Sequence, residues 1–280
     1  MVLDGVVTLY NPELDVLGNI ESYVGCLRNL YVFDNSENVN THIKQCLENK
    51  PNVIYVSFNK NKGIAEALNY VLDVGQDTKF LLTMDQDTSF PTGMTQAYIA
   101  QVEMWEKLNP NEVAIYSVRI MLKHGMVDEY SKSPEYIDCT ITSGNIVSVS
   151  AARRVGGYNN DLFIDEVDSD FSLAIRQCGY KILRFNNMFI NHLIGDISKE
   201  QCLWFSYNTS NHSPIRRYYM MRNRLYMMKK YPKIRRAYGI SLLKIIIKVL
   251  LAEKDKCKKL KYMFLGMYDF LFGNMGKYKR

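Results

Sequence analysis

Short apolar runs alternate with helically spaced apolar positions through the first half of this chain, the pattern of strands joined by crossover helices. Val6-Val7-Thr8-Leu9-Tyr10 reads as a first strand, stopped by Asn11-Pro12, and residues 13–25 read as a helix. Asn29 to Phe33 is a second strand, closed by Asp34-Asn35-Ser36, with a helix over 39–48 after it. Val53 to Ser57 is a third strand. Asn61-Lys62-Gly63 is a turn, and Ile64 to Leu72 has good helical spacing. A fourth strand over 79–84 runs straight into Asp85-Gln86-Asp87. Four strands with crossover helices predict a mostly parallel central sheet.

The middle of the chain is less regular. A helix is expected over Met94–Leu108, a strand over Val113–Val118, and a polar hairpin or loop over 120–136. A strand over Tyr136–Thr142 leads into Ser143-Gly144-Asn145. A short helix over Val147–Val155 ends at Gly156-Gly157. A helix over Asp168–Gln177 is closed by Gly179, and Lys181–Phe185 is a strand. Beyond residue 213 two helices are expected, Ile215–Tyr231 and Tyr238–Ala252, separated by Pro232. These patterns predict a catalytic domain over 1–212, with a nucleotide half over about 1–118 and an acceptor half over about 119–212. A helical extension over 213–280 follows.

Charge separates the same two regions. Residues 1–212 hold 16 Lys/Arg against 26 Asp/Glu, whereas residues 213–280 hold 19 against 3. An acidic body with a basic tail points the tail at an anionic surface, either nucleic acid or lipid. Within Tyr238–Ala252 the apolar run is too short to span a bilayer and suits an interfacial helix, with packing on the core as the alternative. The adjacent lysines from Lys256 to Lys261 favour a membrane surface. Six scattered cysteines without a C-x-x-C pair argue against a zinc ribbon or a disulfide scaffold and for a reducing compartment. The first residues lack a basic, long apolar leader and read as a strand.

The candidate chemistry sits where the predicted strands end. Asp85 and Asp87 follow an apolar strand, at the rim where open α/β sheets bind ligands. Two hard oxygen donors at that spacing suit Mg²⁺ or Mn²⁺, and such an ion would hold a diphosphate. Asp34 can accept hydrogen bonds from a base or ribose, or simply close an Asx turn. Asn61 and Gly63, before a helix, can support phosphates or only begin that helix. In Phe163-Ile164-Asp165-Glu166-Val167-Asp168-Ser169-Asp170, four carboxylates crowd into six residues. A helix N-terminus tolerates acids, and a general base facing a hydroxyl would need one.

Taken in order, Val7-Thr8-x-Tyr10-Asn11-Pro12, Asp34-Asn35-Ser36, Asn61-x-Gly63-x-Ala65-x-Ala67-Leu68-Asn69, Asp85-x-Asp87, Ser143-Gly144 and Val167-Asp168-x-Asp170 resemble the family-2 inverting glycosyltransferases of GT-A fold. The resemblance covers roughly residues 5–231. Ile164-Asp165-x-Val167-Asp168-x-Asp170 and Arg217-Tyr218-Tyr219-x-x-Arg222-Asn223 are most similar to bacterial rhamnosyltransferases of O-antigen and capsule synthesis, and galactofuranosyltransferases share part of the pattern.

That resemblance implies a metal-dependent transfer of a sugar from a dTDP- or UDP-linked donor to a glycan or polyprenyl-diphosphate-linked hydroxyl. It implies that Asp34, Thr8 and Tyr10 line the nucleotide pocket, with Asn61, Gly63, Asp85, Arg217 and Arg222 also on the donor. Asp87, Asp85 and His192 would hold the cation. Asp168 would be the general base, and Ser143, Gly144 and Asp165 would meet the acceptor. Most relatives carry Glu-Asp where this chain has Val167-Asp168, so one family acid is missing. Arg216 is a further candidate partner for a diphosphate. The implied setting is the cytoplasmic face of the plasma membrane, without nucleic acid. Two rival classes are a nucleotidyltransferase, which would need a Gly-rich basic loop where this chain has Tyr10-Asn11-Pro12-Glu13, and a nucleic-acid binder, which would leave the acid loops unexplained.

Overall fold

The computed structural model describes residues 1–75, 77–121, 133–192, 198–202, 205–209 and 212–279. Residue contacts divide the chain into two compact units. One comprises Met1–Asn159 with Asp168–Leu193, and the other Asn160–Val167 with Ile194–Arg280. The boundary expected near residue 212 falls inside the second unit.

The first unit is built on a nine-stranded sheet among the described residues. Its opening half is the expected parallel arrangement: β1 (Leu3–Leu9), β2 (Leu30–Asp34), β3 (Val53–Ser57) and β4 (Phe80–Asp85), in the order β3-β2-β1-β4. The chain leaves β1 towards β2 on one side and reaches β4 on the other, so the crevice between β1 and β4 is a topological switch point, where α/β sheets bind ligands. Register places Thr8 beside Asp85 and Leu9 beside Asp34, bringing three candidate segments to one rim. The connecting helices are α1 (Val16–Val24), α2 (Thr41–Glu48) and α3 (Ile64–Val74). Asn40 caps α2, its side chain accepting from the amides of His42 and Ile43.

Beyond β4 the sheet is mixed rather than mostly parallel. A two-residue β5 (Thr88–Ser89) precedes α4 (Met94–Leu108), then come β6 (Val113–Met121), β7 (Glu135–Tyr136), β8 (Asn145–Ser148), α5 (Val149–Arg154), α6 (Val167–Gln177) and β9 (Lys181–His192). β8 runs antiparallel between β4 and β6. Most of the hairpin or loop expected over 120–136 lies outside the described residues, at 122–132. The strand expected over Tyr136–Thr142 is reduced to β7, which pairs with β9, and a further strand, β8, begins three residues downstream of Thr142. Its first turn is set by Gly144, at φ +78°, where a Cβ would meet Ile190 and Val118 at 3.0 Å. β9 extends to His192 because its pairing with β6 skips from Phe185 to Phe189. Asn186, Asn187 and Met188 form the irregularity, and their polar pair masks the continuing strand pattern.

The core on one side of the sheet joins Val7, Leu9, Leu82, Met84, Tyr98, Tyr116, Phe185 and Ile190. Phe185 stacks on Tyr116 and meets Tyr98 and Trp105 edge-on.

The second unit holds a 3-10 turn (Asn160–Leu162), a two-stranded ribbon of β10 (Ser198–Cys202) and β11 (Phe205–Thr209), and α7 (Pro214–Lys230), α8 (Arg235–Ala252) and α9 (Lys256–Leu271). Ser213 and Pro214 begin α7, the serine accepting from the amide of Arg216. The third helix was not anticipated, because its inward positions include Lys259 and Asp269 as well as Met263 and Gly266. Gly266 lets α9 approach α7 closely: a Cβ there would lie 2.4 Å from the Tyr218 carbonyl. No helix among the described residues is long and apolar enough to cross a membrane.

Candidate active site

The acid rim of the first unit is held open by backbone and amide bonds. Asp85 ends β4, and Gln86 turns the chain away from it. The Gln86 side chain accepts from the Tyr10 amide at 2.8 Å and donates to the Tyr10 carbonyl, as a neighbouring strand would. The Gln86 carbonyl accepts from Asn19 of α1. Gln86, the middle residue of the acidic triplet, is therefore the latch of that turn, a role that its amide could have signalled.

Asp87 lies in the turn and β5 follows, pairing Thr88 with His192. One ligand atom each from Asp85, Asp87 and His192 lies within 4.8 Å of the others. His192 Nδ1 is 3.4 Å from Asp87 Oδ1 and 2.7 Å from Thr88 Oγ1. Nδ1 is thus the ring nitrogen beside the Asp87 carboxylate, and it shares a hydrogen bond with Thr88 Oγ1 that fixes the orientation of the imidazole. Two carboxylates and an imidazole are a donor set that suits Mn²⁺ and tolerates Mg²⁺. Burial raises the Asp85 carboxyl to about 7, and the charges of Asp87 and Asp168 push in the same direction. A buried acid whose ionisation two neighbouring carboxylates oppose fits a cation, whose charge would remove the conflict.

Asp168 opens α6. Its Oδ1 accepts from the Ser169 amide at 2.8 Å. It lines a small pocket with Thr140, Thr142, Asn145, Tyr158 and Ser172, and Tyr158 stacks on Phe171 at 4.0 Å. Its field reaches both Asp85 and Tyr158. The expected base and the expected cation ligands thus belong to one unit and one electrostatic cluster. The polar lining from Thr140, Asn145 and Ser172 was not anticipated, since three isolated polar residues in separate segments carry no sequence pattern.

The residues expected at the nucleotide collect on the same rim. Thr8 Oγ1 is buried and has no hydrogen-bond partner among the described residues, and the same holds for the Tyr23 hydroxyl, which feels the Asp85 charge. Buried hydroxyls are normally satisfied, so such groups at a ligand crevice are open to a ligand. Asp34 is buried. One of its oxygens accepts from the Ser36 amide in an Asx turn and the other from the Tyr55 hydroxyl, leaving a lone pair on each. Tyr10 is 46% exposed. Asn61 accepts from the Gly63 amide. Asn35, unassigned by sequence, joins these loops: it donates to the Gly63 carbonyl and accepts from the Lys62 amide. Ser143 and Gly144 lie against β4. The Asp85 amide donates to Ser143 Oγ at 3.0 Å, and the Gly144 amide donates to the Thr83 carbonyl, so both residues set the position of Asp85.

Asp165, Arg216, Arg217 and Arg222 belong to the second unit, where the arginines have partners. Arg217 is buried and paired with Glu253, which also accepts from Lys259 at 3.0 Å. Burial would raise the Glu253 carboxyl, but Lys259 and Arg217 hold it below the ordinary range. Arg222, wholly buried, donates to the carbonyls of Gly276 and Asp161. Arg216 pairs with Asp165 at 3.1 Å.

The segment leading into Asp168 carries three left-handed non-glycine residues, Phe163, Asp165 and Glu166. Such geometry costs about 1–3 kcal/mol per residue and persists only where surroundings enforce it. Here Asn223 lies within 3.0 Å of the carbonyls of Leu162, Ile164 and Asp165, while Arg224 and Tyr238 hold Glu166. Glu166 is therefore anchored among α7 and α8.

A nucleotide-type crevice carrying a carboxylate–imidazole cluster and a separate helix-borne acid, on this sheet order, defines a glycosyltransferase of GT-A fold. The chain belongs to glycosyl transferase family 2, whose pattern matches residues 6–163. It is 27% identical over 293 residues to the dTDP-rhamnosyl transferase RfbF of Shigella flexneri, across 97% of this chain and 96% of that protein. Its fold resembles that of S. aureus TarS 1–349 in complex with UDP-GlcNAc, with 14% identity, a TM-score of 0.53, and 97% and 73% of the two chains covered. GalNAc-T7 with UDP, GalNAc and Mn²⁺ superposes with a TM-score of 0.55 at 11% identity, over 68% of this chain but only 43% of that one.

Proposed function

We propose that this enzyme transfers rhamnose, with inversion, from a dTDP- or UDP-linked donor to a hydroxyl of a glycan or polyprenyl-diphosphate-linked acceptor in bacterial surface-polysaccharide synthesis. The rhamnosyl assignment is supported by the likeness to RfbF along nearly the whole of both chains. The mechanism is supported by one observation, that Asp168 belongs to the same unit as Asp85, Asp87 and His192, whose ligand atoms lie within 4.8 Å of one another.

Thr8 donates its free hydroxyl to the nucleotide or its diphosphate, and Asp34 accepts from the base or ribose. Asp85, Asp87 and His192 would hold a divalent cation, which when bound neutralises charge on the nucleotide diphosphate. Asp168 accepts the proton of the acceptor hydroxyl as that oxygen bonds to the anomeric carbon. The bond from that carbon to the diphosphate oxygen breaks on the opposite face, which inverts the configuration. Thr140, Asn145 and Ser172 line the same small pocket as Asp168, and their hydrogen bonds to one another and to the backbone hold that wall in place beside the base. Donor contact is assigned to the rim of the first unit, because Arg217 and Arg222 are already engaged by Glu253 and by backbone carbonyls. Cys26, Cys46, Cys139, Cys178 and Cys257 are free thiols, a state suited to the reducing compartment at the inner face of the plasma membrane.

A thermal-shift screen of dTDP-rhamnose, UDP-galactofuranose and UDP-hexoses, each with Mn²⁺ or Mg²⁺, tests the donor. The expected result is stabilisation by dTDP-rhamnose that Asp87→Ala removes, followed by product formation that Asp168→Asn abolishes. Stabilisation by a UDP-hexose alone would overturn the rhamnosyl assignment, and normal turnover by Asp168→Asn would overturn the mechanism.

A further inference from the structure

α8 is apolar on two faces, and the protein covers one of them. Leu242 and Val249, with Ile245 and Ile246, pack against Met221 and Met263. Ile240, Leu243, Ile247 and Leu250 face outward, each between 45% and 57% exposed. Their spacing of three and four residues makes a continuous stripe along the helix. A helix apolar all round is ordinarily buried all round, so this stripe requires a cover.

Charge decides between covers. Arg236, Lys244 and Lys254 are exposed beside the stripe, and Lys248 is half-buried. The acids of the same helices are mostly withdrawn from the surface: Glu253 and Asp269 are buried, and Asp255 is exposed. A second copy docked through the same helices would bring lysine against lysine with scarcely a carboxylate to meet them. An anionic bilayer presents the opposite charge and an apolar interior at the same depth. α9 repeats the composition, with Phe264 60% and Leu271 69% exposed near Lys258 and Lys261. Neither helix is long and apolar enough to span a membrane.

We infer that α8 lies in the plane of an anionic lipid surface, with Ile240, Leu243, Ile247 and Leu250 inserted below the head groups and Arg236, Lys244, Lys248 and Lys254 pairing with them. This deepens the transferase reading by supplying the partner surface that a lipid-linked acceptor requires, yet vesicle binding is measured without donor or acceptor.

The test uses the full chain with sedimentable vesicles of phosphatidylcholine alone and of phosphatidylcholine with phosphatidylglycerol. Truncation would not serve, because the carbonyl of Gly276 holds Arg222 and Lys259 holds Glu253. Binding is expected only with phosphatidylglycerol, weakening as salt is raised. Leu243→Glu with Ile247→Glu should lower the bound fraction about tenfold, and Lys244→Gln with Lys248→Gln about threefold. Both variants lie outside the acid cluster and should keep transfer to a water-soluble acceptor, which also shows that they fold. Unchanged vesicle binding by the glutamate variant would overturn the inference. So would a dimer, seen by light scattering, that the same variant converts to monomer. Loss of transfer to any acceptor by the wild-type chain, with docking intact, would instead overturn the transferase reading.

Discussion

The acid rim of the first unit and the buried polar cluster of the second use the same residue types to opposite ends. In the second unit, Arg217, Glu253 and Lys259 form a buried ion triad, and Asn223 and Arg222 spend their donors on backbone carbonyls. On the rim, Thr8 Oγ1 and the Tyr23 hydroxyl are buried without partners among the described residues, and burial raises the Asp85 carboxyl to about 7, with the like charges of Asp87 and Asp168 adding to it. Satisfied buried polar groups hold an architecture, whereas an unsatisfied one at a ligand crevice is open to a ligand. That contrast separates arginines that are already paired from rim groups open to a ligand, which a reading of charge alone does not.

The sharpest test of the comparison is Asp168→Asn. It should lower kcat about a thousandfold while leaving donor binding by calorimetry nearly unchanged. A parallel loss of donor binding would mean that Asp168 belongs with the ligand-holding rim. On the other side of the contrast, Glu253→Gln strands Arg217 and Lys259 in the interior, and should cost about 3–5 kcal/mol in denaturant unfolding. The wild-type ion triad also has a pH signature. Because the Glu253 carboxyl is held below its ordinary value of 4.5, its stabilisation is present above that value and is lost as pH falls through the lower folded one. Melting curves of the wild type should drop in acid more steeply than those of Glu253→Gln.

The rim has the reverse signature. With its carboxyl raised to about 7, Asp85 favours the cation-free protein below the unfolded value, and that contribution is lost as pH rises through about 7. Mn²⁺ affinity by calorimetry should therefore increase through that range, with proton release below it, and a flat profile would remove Asp85 from the cation site. The smallest effect expected is that of Thr8→Val. Removing an unpartnered hydroxyl should leave stability unchanged or higher by about 1 kcal/mol, while raising the donor KM about fivefold. A stability loss would show that Thr8 is part of the architecture.

Local patterning was enough to find β1 to β4 and their helices, because each is a short element whose apolar period survives intact. The rim residues were legible for the same reason: a strand that ends in an acid declares its position. Elements that break their own period escaped. β9 continues past Phe185 through the Asn186–Met188 irregularity, and α9 hides its inward face behind Lys259 and Asp269, which are buried only because Glu253 and Tyr218 meet them.

By itself the sequence determined the class of fold, the acidic triplet at a strand end, the crowded carboxylates before α6, and the basic character of the last third. Tertiary structure alone decided which of those charges are spent. Whether Arg217 meets a diphosphate or Glu253, and whether Ser143 faces a ligand or the Asp85 amide, depends on partners far away along the chain. Periodicity reports how a residue relates to its neighbours in sequence, while the cost of burying a charge is settled by what packs against it in space.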